Sequence, residues 1–267
     1  MNTNVIEIQI WQLAAAYIFI LILLAFVKYR GIKREKEILI SSVRMTLQLI
    51  LTGYILMYLF DNESWVLTLL VLSVMEIFAI NNIFRRVNVK ISNKLKKIIA
   101  FSMVTGTVTC LLYFIIIVIG LRPWFNPRYF IPISGMLIGN SMTGISLGVS
   151  RLVNDMNTQK HLVESSLMLG ATPKMASKEI VDNAFDSAIL PTINSMVGMG
   201  IVFLPGMMTG QILSGVSPVT AIEYQIAIML GILGSVAFTV ILFLQLGYKT
   251  FFNQKAQMVI ESTETKS

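Results

Sequence analysis

Two ionisable side chains stand inside long apolar runs, Arg44 in "ILISSVRMTLQLIL" and Glu76 in "LLVLSVMEIFAINN". A charge at such depth is costly, so residues of this kind pair with one another or serve an ion path. Counted from the basic ends of their runs, Arg44 lies roughly 9 Å in and Glu76 roughly 12 Å in, at the helical rise per residue. The two can meet, and Gln48 shares the face of Arg44 one turn on. Two chemistries are open: an Arg44–Glu76 ion pair that orders the helices, or Glu76 as ligand to a cation or proton.

A second set of donors lies further along. Asn140, Ser141 and Thr143 sit in "YFIPISGMLIGNSMTGISLGVS", and Asn194, Met207, Met208 and Gln211 in "AILPTINSMVGMGIVFLPGMMTGQILSG". With Glu76, and leaving Thr143 aside, these are the candidate path residues. Thioethers such as Met196, Met199, Met207 and Met208 suit soft ions, whereas carboxylate and amide oxygens suit harder ones. Methionine is equally an adaptable filler between helices. The pattern specifies no particular metal.

Enzymatic chemistry has little support. There is no Gly-x-x-x-x-Gly-Lys phosphate loop, no His/Cys cluster and no Ser/His/Asp set. Lone Cys110 lies in an apolar run and allows no intrachain disulfide, and lone His161 lies in a polar segment. No cofactor is expected in the chain itself.

The elements that must position these residues are membrane helices. Of 267 residues, 55% are apolar and 13% charged, the latter about half the share of a soluble domain. Mean hydropathy is +0.74. The apolar blocks are about twenty residues long, enough to cross a bilayer. Seven spans are expected, near 10–28, 38–60, 65–84, 98–120, 129–149, 187–207 and 222–247. The first lacks a preceding basic residue and reads as a retained helix, not a cleaved signal. The fold is thus all-α and multi-pass in a cell membrane, one domain over 1–267, with no nucleic-acid face.

Eighteen of the 21 basic residues fall in 28–36, 85–97, 150–186 and the C-terminal tail, while the opposite connections hold only Arg122 and Arg128. Basic connections face the cytoplasm, which places the N-terminus outside and the C-terminus inside. In the fifth span Gly135, Gly139, Gly144 and Gly148 form two Gly-xxx-Gly pairs, suited to close helix packing. The sixth has Pro191 near its start and Pro205-Gly206 near its end, and is expected to break near "LPGMMTGQ" to re-enter or line a cavity.

The one long connection, 150–186, reads as a helical hairpin. A helix over 152–169 ends at Gly170, which accepts left-handed backbone angles. Thr172 is a good N-cap and Pro173 a good first residue for a second helix to about 186. A connector of 37 residues is long where all others are short, which suits the docking of a partner as well as mere linkage.

The segments "ESSLMLGATP" and "PTINSMVGMGIVFLPGMMTGQILSGVSP" resemble the FetB-type permease subunits of ABC transporters, the iron export permease family. The likeness covers most of the chain and is strongest over 131–245. The Glu164-to-Gly170 spacing also resembles the coupling loop of ABC importer permeases, with Ser165 and Ser166 in place of its alanines. The resemblance implies that Glu164, Leu169, Gly170, Ala171, Thr172 and Pro173 receive a separate cytosolic ATPase, which holds the ATP. It implies two permeases with two ATPases, and iron as exported cargo. The rival from another class is a stand-alone ion carrier coupled through Glu76.

Overall fold

In the computed structural model, which describes residues 8–87 and 91–259, the apolar runs are helices. They are α1 (Ile10–Ala16) and α2 (Ile18–Tyr29), jointed at Tyr17, α3 (Glu35–Asp61), α4 (Trp65–Arg86) and α5 (Asn93–Tyr113). α5 continues through a wider π-turn, Phe114–Val118. After α6 (Pro127–Thr158) come α7 (Lys160–Met168), α8 (Pro173–Ala176), α9 (Lys178–Gly198), α10 (Gly206–Leu213) and α11 (Pro218–Gly247). Among the described residues there is no β-strand, only two isolated bridges.

Six helical stretches are long and apolar enough to cross a membrane: Ile10–Tyr29, Glu35–Asp61, Trp65–Arg86, Asn93–Val118, Pro127–Thr158 and Pro218–Phe251. The expected span 187–207 is not among them. α9 begins earlier and carries Lys178, Glu179, Asp182 and Asp186 in its first half. It then ends at Gly198, so the break starts before Pro205-Gly206.

The hairpin boundaries also shift. At 1.5 Å per residue α6 is roughly 48 Å long, more than a hydrocarbon core of about 30 Å requires. Its final turns therefore form the first part of the expected 152–169 helix, and α7 follows after a joint at Gln159. The second hairpin helix is α8 plus the start of α9, with Ser177 between them.

The core is built on α6 and α11. α11 packs on α5, α6, α9 and α10, burying Ile228, Ile232, Ser235, Val236, Thr239, Val240 and Phe243 at helical spacing. Small residues set these contacts. A Cβ on Gly144 would lie 2.8 Å from Val236 Cγ1, and one on Gly148 3.4 Å from Ala188 Cβ. The Gly144/Gly148 pair thus does pack closely, against α9 and α11. In the Gly135/Gly139 pair only Gly135 has a close neighbour, a Cβ there lying 3.3 Å from Met75 Cε of α4, while Gly139 faces open space. By contrast α1–α3 are peripheral, with only Val27 and Leu59 buried.

Candidate functional site

Three places carry the candidate residues. The first is the hairpin tip. α7 closes in a Schellman arrangement, in which Ala171 N donates to Ser166 O and Gly170 N to Leu167 O, both at 3.0 Å. Gly170 takes φ +92°, which a side chain would strain. The Thr172 hydroxyl accepts from Met175 N at 3.3 Å, and Pro173 begins α8. Below the tip, Val163 and Ile180 are buried in the core, with Leu167 and Ala176 packed against it. At the tip, Met168 is 87% and Leu169 90% exposed, with Leu162 and Met175 also exposed. Glu164 pairs with Lys160 Nζ at 3.6 Å. An anchored hairpin thus holds out apolar side chains with nothing covering them.

The second is the intramembrane carboxylate. Glu76 is only 5% exposed. Its Oε1 accepts a hydrogen bond from the Thr107 hydroxyl of α5, while Oε2 has no partner. Of the two chemistries open to Glu76, the ion pair with Arg44 is not formed. The Arg44 guanidinium lies over the Phe78 ring, 5.3 Å from its centroid, on the exposed side of α3. Thr107 follows Gly106, where an added Cβ would sit 2.4 Å from Thr239 Oγ1. Glu76 of α4 is therefore held to α5 one residue from where Gly106 lets α5 approach α11 closely.

The third is the break after α9. Gly200 takes φ +83°, and Gly200 N donates to Phe203 O at 3.0 Å, folding 199–203 into a small loop. α10 buries Met208 and leaves Met207 half-buried. Gln211 Oε1 is buried without a partner. Asn140 and Asn194 are both exposed, on α6 and α9, which pack together. The Asn140 amide donates to Met136 O at 2.7 Å. Ser141, by contrast, is wholly buried in a 2.9 Å hydrogen bond with Ser235 Oγ, a link between α6 and α11.

Residues 10–252 match the family described as "Uncharacterised protein family (UPF0014)". The chain belongs to that family. This UPF0014 chain is 34% identical over 247 residues to the UPF0014 membrane protein YjkA of Bacillus subtilis, covering 92% of this chain and 97% of that one. It is 32% identical over 255 residues to the "Probable iron export permease protein FetB" of Escherichia coli, covering 96% of each. It is 31% identical over 247 residues to Protein ALUMINUM SENSITIVE 3 of Arabidopsis thaliana, covering 92% and 88%. No solved structure matches. The resemblance to FetB-type permeases is thus upheld, and this UPF0014 protein is a multi-pass membrane protein of the permease type.

Sequence reasoning missed two partners in this UPF0014 protein. Thr107 looks like any span threonine until packing brings it to Glu76. Gln225 of α11, also buried, has its Oε1 unpartnered while its Nε2 donates to Met199 Sδ at 3.8 Å. The signal for Gln225 was present, as a lone amide within the apolar stripe Ala221, Ile228, Ile232.

Proposed function

We propose that this chain, as one unit over 1–267, is the membrane-spanning permease of an ABC transporter that exports iron or a related metal ion. ATP is hydrolysed on a separate cytosolic subunit. The observation that carries the reading is the anchored hairpin with its uncovered apolar tip, Met168 and Leu169. Side chains of this kind on a rigid support suit burial against a partner. The charge bias of the connections supports a cytoplasmic position for it, with α9 as the sixth of seven crossings, N-terminus outside and C-terminus inside. The cargo is suggested by the name of the Escherichia coli relative and by Glu76, whose unpaired oxygen is suited to a passing cation.

Two such permeases pair with two ATPases. Asn140 and Asn194 support a homodimer with the path near its seam. From the contact of Gly144 with Ala188, Asn140 lies four residues along α6 and Asn194 six along the oppositely running α9, about 6 and 9 Å in the same direction. Amides exposed at that depth are better matched by a second copy or a hydrated path than by lipid. ATP-driven closure of the ATPases moves the hairpin, and the continuous α6 and α9 carry this motion to the break.

The test is co-expression with an ABC-type ATPase from the same source and purification of the complex. The complex is expected for the wild type and lost on Leu169→Asp or Gly170→Pro, with the permease still inserted. ATPase retained by both variants overturns the coupling role. The unpaired Glu76 carboxylate favours one further reading, a stand-alone carrier. Flux that continues without any ATPase and vanishes with Glu76→Gln would establish it.

A further inference from the structure

The ends of three helices bring cations together at one corner of the bundle. α4 closes with Arg85 and Arg86, and α5 opens with Lys94, Lys96 and Lys97, all exposed. Val87 and Leu95 are buried, which holds both ends against the core. α11 finishes beside them, since a Cβ on Gly247 would lie 3.4 Å from Leu95 Cδ1. Lys97 and Lys249 each stand two residues from that contact, about 3–4 Å along their helices. The chain after α11 stays close: Phe251 is buried, and Val259 N donates to Phe251 O at 2.8 Å. The turn so formed carries exposed Lys255.

No carboxylate balances these charges. Residues 85–97 and 247–259 hold neither Asp nor Glu, and the next one, Glu261, lies outside the described residues. Other basic connections are mixed. Arg34 pairs with Glu37 before α3, and Lys160 with Glu164 in the hairpin. Membrane orientation responds to Lys and Arg and hardly at all to Asp and Glu. Topology therefore accounts for the cations but not for the exclusion of carboxylates. Like charges gathered on three packed helices repel one another, and an anion from outside the chain relieves that repulsion.

We propose that this corner, formed by the ends of α4, α5 and α11, is a docking surface for the headgroups of anionic phospholipids. Its level selects lipid as the source of the anion. The cations begin where the apolar runs stop: Phe84 precedes Arg85, Ile98 follows Lys97, and Leu246 lies three residues before Lys249. That boundary is where lipid phosphates lie, and basic surfaces between membrane helices at this level bind such headgroups. The flank of the corner fits the rest of the molecule. On α5, Phe101 and Val104 follow Lys97 at i+4 and i+7 and are exposed on the same face. A headgroup at Lys97 thus has an apolar strip beneath it for its acyl chain, from which a soluble anion or an acidic protein gains nothing. This role goes beyond transport and needs neither the ATPase nor the cargo.

The experiment titrates short-chain phosphatidylglycerol and phosphatidylcholine onto the full-length protein in neutral detergent, with bound lipid read by native mass spectrometry. Phosphatidylglycerol is expected to bind at least tenfold more tightly, each cation contributing roughly fivefold. Lys94→Gln, Lys96→Gln and Lys97→Gln together are expected to remove that preference. The same three positions as arginine are expected to keep it, which a role in packing lysine alone would not allow. Lys160→Gln with Lys174→Gln, in the hairpin, is expected to leave it unchanged. Should the triple glutamine variant fail to insert, Lys249→Gln with Lys255→Gln decides, because both follow the last span. Equal binding of the two lipids by the wild type overturns the proposal. A preference that survives the glutamine variants, or that the hairpin variant removes equally, overturns its assignment to this corner. Displacement of phosphatidylglycerol by inorganic phosphate or polyglutamate at matching concentrations overturns the choice of lipid. None of these outcomes bears on ATPase docking or metal flux, which are measured separately.

Discussion

Glu76 shows how much one side chain depends on its neighbours. Ionised and half-satisfied in a dry interior it is unfavourable, because its only hydrogen bond comes from Thr107. Glu76→Gln keeps the shape and one acceptor but removes the charge. Metal flux in reconstituted vesicles is expected to vanish while the protein elutes and melts as wild type, and wild-type flux would remove Glu76 from the path. Thr107→Val is milder. Losing a hydrogen bond worth about 1.5 kcal/mol is expected to change flux by roughly tenfold. Nearby, Gly106→Ala would put a methyl 2.8 Å from Thr239 Cα, which is backbone and cannot swing aside. Overpacking of this sort costs about 1–3 kcal/mol and is read as a lower melting temperature.

Among the elements, the hairpin separates folding from function. Its supports Val163 and Ile180 are buried, but Met168 and Leu169 touch almost nothing. Replacing both tip residues with serine is therefore expected to leave thermal stability within about 0.5 kcal/mol. ATPase affinity should fall at least tenfold, as measured by titrating the ATPase onto immobilised permease. Thr172→Ala acts differently: it removes the cap of α8 and is expected to cost about 1 kcal/mol. Faster limited proteolysis at 169–173 would report it. The hairpin was legible in the sequence because Gly170, Thr172 and Pro173 act through their own backbone angles and nearest neighbours. The break after α9 was legible only in part. Pro205-Gly206 marked where a helix restarts, but Gly198, where α9 stops, resembles the glycines that α6 carries within its helix.

At the scale of the molecule, the proposed seam and topology stand or fall together. With Cys110→Ser as background, Asn140→Cys and Asn194→Cys are expected to cross-link two copies in membranes. Cysteine at the peripheral Leu21 position should not. A cysteine at Leu169 should react with an impermeant maleimide only in inside-out vesicles, and one at Arg122 only from the outside. Labels found on the opposite sides would reverse the assigned orientation.

The sequence by itself determined what depends on composition and neighbouring residues: membrane helices from the length of the apolar blocks, the hairpin from its caps, and the family from its motifs. Tertiary structure alone decided which faces meet. A span that is apolar all round gives little sign of which side turns inward, so the rotation of α3 and α4 was not readable. Packing turned Glu76 to Thr107 and left Arg44 over Phe78. Packing likewise committed Ser141 to Ser235 and brought Gln225 to Met199. In lipid, helices associate through close contact of small residues and scattered polar bonds, and these pairings exist only once the helices are side by side.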